Sequence, residues 1–400
     1  MRILVAPDCF TGTLTASQAA EAMARGWAAG APHDDVSVLP LADGGPGFLD
    51  VLHAALTGKT LVPVTVHGPL GEPTPAVLLL DDTPTARVAY IEAAQAVGLH
   101  LVPPDRRDPT ATTSVGVGQL LRAALRLGAR RIVVGLGGSA TNDGGAGMLA
   151  GLGLESELLR GGGGGLGSLV AGDLAGLTAL RRELVGVDLV IAADVDVPLL
   201  GLHGASAGFA AQKGATPAQA QGLERALGQL ADVAARVVSV DGVRTSLLAP
   251  DQPGGGAAQA RAASRELSQL PGSGAAGGLG FGLAVLGGRV LPGARVVADA
   301  VDLGGRVRGA DIVVTGEGSL DWQSLHGKVV QAVAAQGMAH GVPVVVVAGQ
   351  VLIGRREWGA AGIAGAYAVA ERPDQVATSL ADPSGTLAAR VQRVARTWSR

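Results

Sequence analysis

Short apolar runs alternate with amphipathic stretches along most of the chain. The runs are rich in Val, Ile and Leu, which suits strands buried inside a sheet, and the stretches between them carry apolar residues at helical spacing. This alternation is typical of an α/β protein with mainly parallel sheets flanked by helices. Strands are predicted at residues 2–6, 36–39, 60–66, 76–80, 86–91, 132–134, 188–193, 311–314 and 344–347. Helices are predicted at residues 15–27, around 49–52, at 114–127, after 143, at 217–238 and from 328.

The spacing of these elements indicates more than one domain. Three strands between residues 60 and 91 follow one another without long helices, so we expect a domain boundary near residues 57–60. The five-glycine run at residues 161–165 is predicted to be a flexible surface loop. The segment 240–270 contains a Pro- and Gly-rich patch and is predicted to be a mobile insertion.

The most informative stretch is residues 131–150, where a predicted strand runs into a glycine-rich loop and then a helix. Glycines such as Gly137 and Gly138 let the backbone approach a ligand, and the N–H groups at a helix start favour an anion. The polar side chains of this loop are Ser139, Thr141, Asn142 and Asp143. The last three are good helix N-caps. The alternative interpretation is an ordinary tight turn, but four polar side chains in one loop argue against it.

Acidic residues and glycines also follow several other predicted strands. The acids are Asp8, Asp43, Asp194 with Asp196, and Glu317 with Asp321. Open α/β sheets bind ligands at the carboxyl ends of their strands, and carboxylates near phosphate-binding loops suit Mg²⁺ and phosphoryl transfer. For Asp194 and Asp196, whose positions share one face and could reach one cation, the alternative is a solvated turn.

Two further features are ambiguous from the sequence. The small-residue stretch at 272–282, which contains Gly277 and Gly278, could approach a nucleotide or could allow close helix packing, and we weigh these equally. Lys328 begins a predicted helix, where it could neutralise phosphate or be a plain exposed residue.

Composition narrows the class of protein. The chain has 400 residues, a formal net charge of −3 and only 2% aromatic residues. It contains no basic block that could bind nucleic acid, so nucleic acid is not expected as a partner. No apolar run is long enough to span a membrane, and Cys9 is the single cysteine, which suits a cytoplasmic protein. A Walker A motif and a zinc-type His/Cys cluster are both missing from the sequence.

The motifs together resemble those of the bacterial glycerate kinases of the glycerate/glyoxylate-pathway type. The matching blocks are APDCFTGTLTASQAA, LADGGPGFLD, VHGPLGE, LVPPDRRDPTATTSVGVGQLL, GLGGSATNDGGAGML, DVDVPLLG, AQKGATP, GSGAAGGLGFGL and VVTGEGSLDWQSLHGK. The resemblance implies ATP-dependent phosphorylation of D-glycerate, with 2-phosphoglycerate as the usual product. It also implies two α/β domains with the active site in the cleft between them. Residues 1–58 plus 291–400 would form a discontinuous Rossmann-like or restriction-endonuclease-like domain, and residues 59–290 an inserted flavodoxin-like domain.

The resemblance also suggests roles for the candidate residues, with ATP and Mg²⁺ as cofactors and a small hydroxy acid as partner. The expected catalytic residues are Asp43, Asp194, Asp196 and Lys213, and the expected metal ligands are Asp194, Glu317 and Asp321. Substrate and phosphate contacts are expected from Asp8, Arg107, Gly137, Gly138, Ser139, Thr141, Asn142, Asp143, Gly277, Gly278, Gly316 and Lys328. The division of labour among the carboxylates is open, and so is the oligomeric state, with a homodimer as one option.

The chain departs from the family pattern at several site positions. The motif PDSFKGSL has lost its Ser and Lys to Cys9 and Thr11, and GEGRLD has Ser319 in place of Arg. The other departures are Pro46 and Phe48 in the ADGGEGT motif and Val197 in the DVDNPL motif. Phe48 is expected to narrow the site. A carboxylate substrate and a triphosphate both need positive partners, and the lost Lys and Arg would have supplied them. The alternative is therefore that the chain acts on another hydroxy acid, or that it is a sensor without turnover.

Overall fold

The computed structural model describes residues 1–240 and 256–399 and has the mixed α/β architecture that the sequence predicts, with mainly parallel sheets flanked by helices. The strands are β1 Arg2–Val5, β2 Asp35–Val38, β3 Lys59–His67, β4 Pro73–Asp82, β5 Arg87–Glu92, β6 Arg131–Gly135, β7 Asp188–Ala192, β8 Arg289–Leu291, β9 Ile312–Thr315, β10 Ser319–Leu320, β11 Val344–Ala348, β12 Gln350–Val351 and β13 Ile363–Ala368. The helices are α1 Ala16–Gly30, α2 Phe48–Ala55, α3 Ala94–Val97, α4 Val115–Arg126, α5 Ala146–Gly151, α6 Glu157–Arg160, α7 Leu177–Glu183, α8 Ala205–Phe209, α9 Pro217–Val240, α10 Gly256–Gln269, α11 Ala275–Val285, α12 Gly293–Ala300, α13 Leu303–Arg308, α14 Val329–His340, α15 Arg355–Ala360, α16 Val376–Ala381 and α17 Pro383–Trp398.

The chain divides into two compact units. Unit 1 consists of Met1–Thr57 and Pro292–Arg400, and unit 2 of Gly58–Leu291. Each unit has its own sheet and its own apolar core. No helix within the described residues is long and apolar enough to cross a membrane.

Unit 1 is built on a five-stranded parallel sheet with the strand order β13-β11-β9-β1-β2. The central strands consist of buried β-branched residues, as parallel strands covered on both faces require. Helix α1 begins with a capping box in which Thr15 accepts from the Gln18 backbone N–H and Gln18 accepts from that of Thr15. Helices α1 and α17 pack closely because Gly26 lies against the Ala388 carbonyl, where a Cβ would overlap it.

Unit 2 contains a six-stranded sheet in sequence order, β3-β4-β5-β6-β7-β8. The first three strands pair antiparallel and the last four pair parallel, so β5 belongs to both patterns. The parallel part directs the carboxyl ends of β5, β6 and β7 to one edge of the sheet. The glycine-rich loop and the 194–196 segment both begin at that edge.

Two segments were predicted to be mobile loops, the five-glycine run and residues 240–270. The five-glycine run is not the flexible surface loop expected from its composition: it enters a short 3₁₀ helix, Gly163–Ser168, and Gly163 is buried against the Asn142 carbonyl. Of the predicted mobile insertion at 240–270, residues 241–255 lie outside the described residues. The remainder includes α10, in which Ser264 donates to Asp232 of α9 at 2.8 Å.

Candidate active site

The glycine-rich loop of unit 2 joins β6 to α5. The helix begins at Ala146 after Gly145, which has a left-handed φ of 78°, so Thr141, Asn142 and Asp143 precede the cap and do not occupy it. The expectation that one of these three residues is the N-cap is therefore wrong. The loop is instead folded inward, and residues 139–147 are all buried.

Asp143 is the residue that holds this loop together. Its Oδ2 accepts from the Ser114 backbone N–H and hydroxyl, both at 2.8 Å, and from the Gly147 N–H at 3.1 Å, while its Oδ1 accepts from the Gly145 N–H at 3.1 Å. Burial raises the pKa of the Asp143 carboxyl, and the hydrogen bonds from Ser114 oppose that shift. With 0% exposure and four donors, Asp143 is placed to position the loop and does not present an oxygen to a ligand. Ser114, its main partner, had no signal in the sequence.

Lys213 lies beneath the same loop. Its Nζ donates to Ser139 Oγ at 3.0 Å and to the Thr141 carbonyl at 2.6 Å, and the side chain is 3% exposed. Burial lowers the pKa of the Lys213 ammonium to about 7, and the charge of Asp143 opposes that shift. A large fraction of the Lys213 side chain is therefore neutral at pH 7, and the neutral amine can accept a proton.

Donors without partners are found in the loop that Lys213 contacts and at Arg107. The backbone N–H groups of Gly137, Gly138 and Ser139 form no hydrogen bond with any described residue. Arg107 lies against Gly214, the residue after Lys213, and its buried Nε also has no partner within the described chain. Unpaired backbone N–H groups and a guanidinium are both donors that hold phosphate or carboxylate oxygens. The structure thus brings Gly137, Gly138, Ser139, Lys213 and Arg107 into one region of unit 2.

Thr141 and Asn142 are completely buried. Asn142 Nδ2 donates to Ser206 Oγ at 3.0 Å, whereas Asn142 Oδ1 and Thr141 Oγ1 are buried without a partner among the described residues. Gly277 and Gly278, which have left-handed φ angles of 70° and 87°, pack directly on this loop. A Cβ on Gly277 would overlap the Thr141 carbonyl, and the Gly144 N–H donates to the Gly277 carbonyl at 3.0 Å. The contacts of both glycines are those of close packing, one of the two alternatives that the sequence left open.

Asp194 and Asp196 follow β7. Asp194 is half-buried, and Asp196 is exposed. Among residues 1–240 and 256–399, no group of three or more His, Cys, Asp or Glu side chains is arranged to hold a metal ion. Asp194 belongs to unit 2, whereas Glu317 and Asp321 belong to unit 1, so the predicted set of three metal ligands stays a prediction.

Unit 1 contains a separate cluster of carboxylates at the carboxyl ends of its strands. Burial raises the pKa of Asp8 to about 7, with further contributions from the charges of Asp43 and Glu317. Burial also raises the pKa of Glu317 to about 7, while Ser324 and Lys328 lower it and Asp321 and Asp43 raise it. Glu317 Oε1 is buried without a partner in the described chain. These carboxylates therefore repel one another in the absence of a cation.

The surrounding residues fix the cluster in place. Asp43 Oδ1 accepts from the Gly45 N–H at 3.1 Å, and Asp321 Oδ1 accepts from the Gln323 N–H at 2.8 Å. Gly316 is required by packing, because a Cβ there would overlap the Val347 carbonyl. Lys328 is the N-cap of α14, whose first turn has no side-chain cap.

The residues that depart from the family pattern differ in their position in the fold and in their burial. Gly318, which precedes Ser319, lies next to Phe10 and Thr11, so the two positions that have lost a cation are close together in unit 1. Ser319 Oγ is buried and has no partner in the described part of the chain. Phe48 is 0% exposed at the start of α2, and the expectation that it narrows the site stays a prediction.

The whole chain is similar to known glycerate kinases. The model of the glycerate kinase family matches residues 3–399. The glycerate kinase of Bacillus subtilis is 40% identical over 358 residues, covering 88% of this chain and 85% of the relative. The glycerate 2-kinase of Escherichia coli is 37% identical over 355 residues, covering 87% and 85%. A crystal structure from Salmonella typhimurium LT2, described as a candidate glycerate kinase 2, has a TM-score of 0.75 and 37% identity, and covers 99% of this chain and 98% of its own.

Proposed function

Because the chain belongs to the glycerate kinase family, we propose that it transfers the terminal phosphoryl group of ATP to a hydroxyl of D-glycerate, with 2-phosphoglycerate as the product. Membership makes the protein a kinase that acts on a small-molecule substrate. The choice of ATP as donor and the position of the phosphorylated hydroxyl belong to the proposal.

The observation that carries the proposal is the donor set in unit 2. Three successive N–H groups, of Gly137, Gly138 and Ser139, have no partner among the described residues. The buried Lys213 lies behind Ser139. Phosphoryl transfer depends mainly on positioning and on stabilising charge at the transferred group, and unpaired backbone amides in a glycine-rich loop suit both needs. Arg107, with its unpaired Nε, is proposed to bind the glycerate carboxylate or a phosphate oxygen.

The carboxylates have two proposed roles. Asp43, Asp194 and Asp196 are candidates for orienting the substrate hydroxyl or accepting its proton. Asp194, Glu317 and Asp321 are candidates for holding Mg²⁺, and Lys328 for binding phosphate. The residues of unit 1 fit a cation, because Glu317 Oε1 is buried without a described partner and its pKa is raised. Mg²⁺ is usually held by one or two carboxylates together with substrate phosphates, whose charge it neutralises, so a three-carboxylate cage is not required.

A second candidate function rests on the positions of Thr11 and Ser319. Both lie near the carboxylates of unit 1, where the resemblance expects Lys and Arg. Without those cations the protein would accept another small hydroxy acid, or bind its ligand without turnover. The loss of a charge-assisted hydrogen bond costs about 1.5–3 kcal/mol, which is enough to change the preferred substrate.

Initial rates of ADP formation with Mg²⁺ distinguish these functions. D-Glycerate and a panel of small hydroxy acids are compared for the wild type and for the Thr11→Lys, Ser319→Arg double variant. Wild-type turnover with D-glycerate is the expected result. Turnover only with another acid, or only in the double variant, would favour the second function. A cytoplasmic location, a homodimer, and the lack of nucleic-acid and membrane partners remain predictions from the sequence.

A further inference from the structure

We propose that Ser139 is itself a phosphoryl acceptor: its hydroxyl, which is hydrogen-bonded to Lys213, attacks the terminal phosphorus of a nucleoside triphosphate and becomes phosphoserine. The inference rests on the proposed kinase function, because the triphosphate must bind at the same loop. It adds a covalent modification site to the chain and divides the overall transfer into two steps.

The geometry is that of an activated nucleophile. Such a group needs a proton acceptor within hydrogen-bond distance, and the acceptor needs a third group that orients it. Lys213 Nζ lies 3.0 Å from Ser139 Oγ and donates to the Thr141 carbonyl at 2.6 Å. In the neutral amine the bond to the Thr141 carbonyl uses one N–H, and the lone pair can then accept the hydrogen bond from the Ser139 hydroxyl. Burial, which lowers the pKa of Lys213 to about 7, keeps much of the amine neutral at physiological pH.

Ser139 differs from the other buried serines of the described chain. Ser114 is occupied by Asp143 and the Met148 N–H, and Ser206 is bonded to Asn142. The hydroxyls of the remaining ones are hydrogen-bonded to carboxylates, backbone N–H groups or carbonyls; these serines are Ser264, Ser268, Ser273 and Ser324. Among the buried serines of residues 1–238 and 262–399, Ser139 alone is hydrogen-bonded to a lysine.

The loop also suits the product of the step. A phosphoseryl group at residue 139 has three additional oxygens that need donors. The N–H groups of Gly137, Gly138 and Ser139 are unpaired within the described chain, and so is Arg107 Nε. Backbone amides of consecutive residues in a glycine-rich loop are effective phosphate ligands. The group would therefore be formed beside donors that are already in place.

The two steps balance. In the first, the Ser139 Oγ–P bond forms, the bond from phosphorus to the bridging oxygen breaks, the nucleoside diphosphate leaves, and the hydroxyl proton passes to Lys213 Nζ. In the second, the hydroxyl oxygen of glycerate attacks the phosphorus of phosphoserine and the Oγ–P bond breaks. Ser139 then takes its proton back from Lys213, and the glycerate hydroxyl proton passes to solvent or to a carboxylate.

The test is acid-quenched mass spectrometry of the full chain after mixing with Mg²⁺ and ATP in the absence of glycerate. We expect one added phosphoryl group, mapped to Ser139, in the wild type and in Ser206→Ala, a matched buried serine without a lysine partner. The group should be absent from Ser139→Ala. In Lys213→Met the rate at which the phosphoseryl group forms should fall by about a hundredfold or more, as expected for loss of a general base. If Lys213→Met does not fold, the wild-type rate of phosphorylation is followed from pH 6 to 8 and should rise across this range.

Adding D-glycerate to the phosphorylated protein completes the test. Loss of the group from Ser139 with formation of phosphoglycerate supports the inference. Steady phosphorylation of glycerate without phosphoserine at residue 139 on the turnover timescale overturns the inference and leaves the proposed function intact. Phosphoserine at 139 that does not pass to glycerate, with no glycerate turnover, supports the modification site and contradicts the proposed function. Absence of both activities overturns both, and a phosphoryl group on any other residue overturns the inference.

Discussion

Lys213 Nζ lies 3.0 Å from Ser139 Oγ, and the two side chains come from positions 74 residues apart in the same unit. The Thr141 carbonyl accepts a second hydrogen bond from the same amine, so the lysine ties both ends of the Ser139–Thr141 segment to the unit. A buried amine with a lowered pKa next to a hydroxyl is an arrangement that structural stability alone does not favour. We therefore interpret the pair as functional.

The first prediction concerns the pH dependence of turnover. If neutral Lys213 accepts a proton during the reaction, kcat rises with pH and levels off above an apparent pKa of about 7. Lys213→Met should lower kcat by about 10²–10⁴-fold and remove this step from the pH profile. The matched control is Lys59→Met, which alters a half-buried lysine on β3 far along the chain from the loop and should keep the wild-type profile. An unchanged pH profile in Lys213→Met would contradict this role.

The second prediction concerns stability. The pKa of Lys213 is lower in the folded protein, about 7, than in an unfolded chain, so between pH 7 and about 10 the unfolded state binds more protons. The free energy of unfolding should therefore rise with pH across this window, by up to about 1.4 kcal/mol per pH unit from this residue. Chemical denaturation of the wild type and of Lys213→Met from pH 7 to 9 isolates the contribution. The difference between the two curves should grow in favour of the wild type, and a flat difference would show that the amine stays charged in the folded protein.

The packing of the loop gives the third prediction. In Gly277→Ala the new methyl group would overlap the Thr141 carbonyl at a left-handed φ of 70°, so a loss of about 3 kcal/mol or more is expected, with the φ strain alone costing about 1–2 kcal/mol. The matched control is Gly222→Ala within α9, where nothing lies within 4 Å of the added Cβ. That change should stabilise the protein by about 0.5–1 kcal/mol. Equal effects of the two substitutions on the urea midpoint would contradict the close approach.

The carboxylates of unit 1 provide the fourth prediction. Asp43 raises the pKa of both Asp8 and Glu317 through its charge, so Asp43→Asn should relieve repulsion while keeping the hydrogen bond from the Gly45 N–H. Without added metal, the free energy of unfolding should increase by about 0.5–1 kcal/mol. The stabilisation that Mg²⁺ gives to the wild type should shrink in the variant, which thermal melts with and without Mg²⁺ will measure. A lower melting temperature for metal-free Asp43→Asn would show that the cluster is not repulsive.

Local features of the fold could be predicted from the sequence. The capping box of Thr15 and Gln18 and the apolar runs of β6, β9 and β11 depend on residues close together in the chain. Strands β8 and β13 were not predicted from the sequence. The first has three residues, and the second, IAGAYA, is made mostly of small residues without a clear period.

The site was predicted as a set of residues but not as an arrangement. Asp143 was expected to contact substrate, because a carboxylate in a glycine loop suits that role, yet its oxygens are occupied by Ser114 and by the first turn of α5. Ser114 lies 29 positions earlier, and nothing in either segment indicates the pairing. The neutral character of Lys213 likewise follows from burial, which is a property of the folded unit.

The assignment of this chain as an ATP-dependent glycerate kinase is tested most directly by ³¹P NMR of one mixture containing the protein, Mg²⁺, ATP and D-glycerate. We expect the ATP signals to be replaced by those of ADP and of one phosphate monoester in equal amounts, with coupling that places the phosphate on the 2-hydroxyl. With Ser139→Ala we expect neither product to form at a comparable rate. Release of inorganic phosphate without a glycerate ester, or an unchanged spectrum, would contradict the assignment of this chain as an ATP-dependent glycerate kinase.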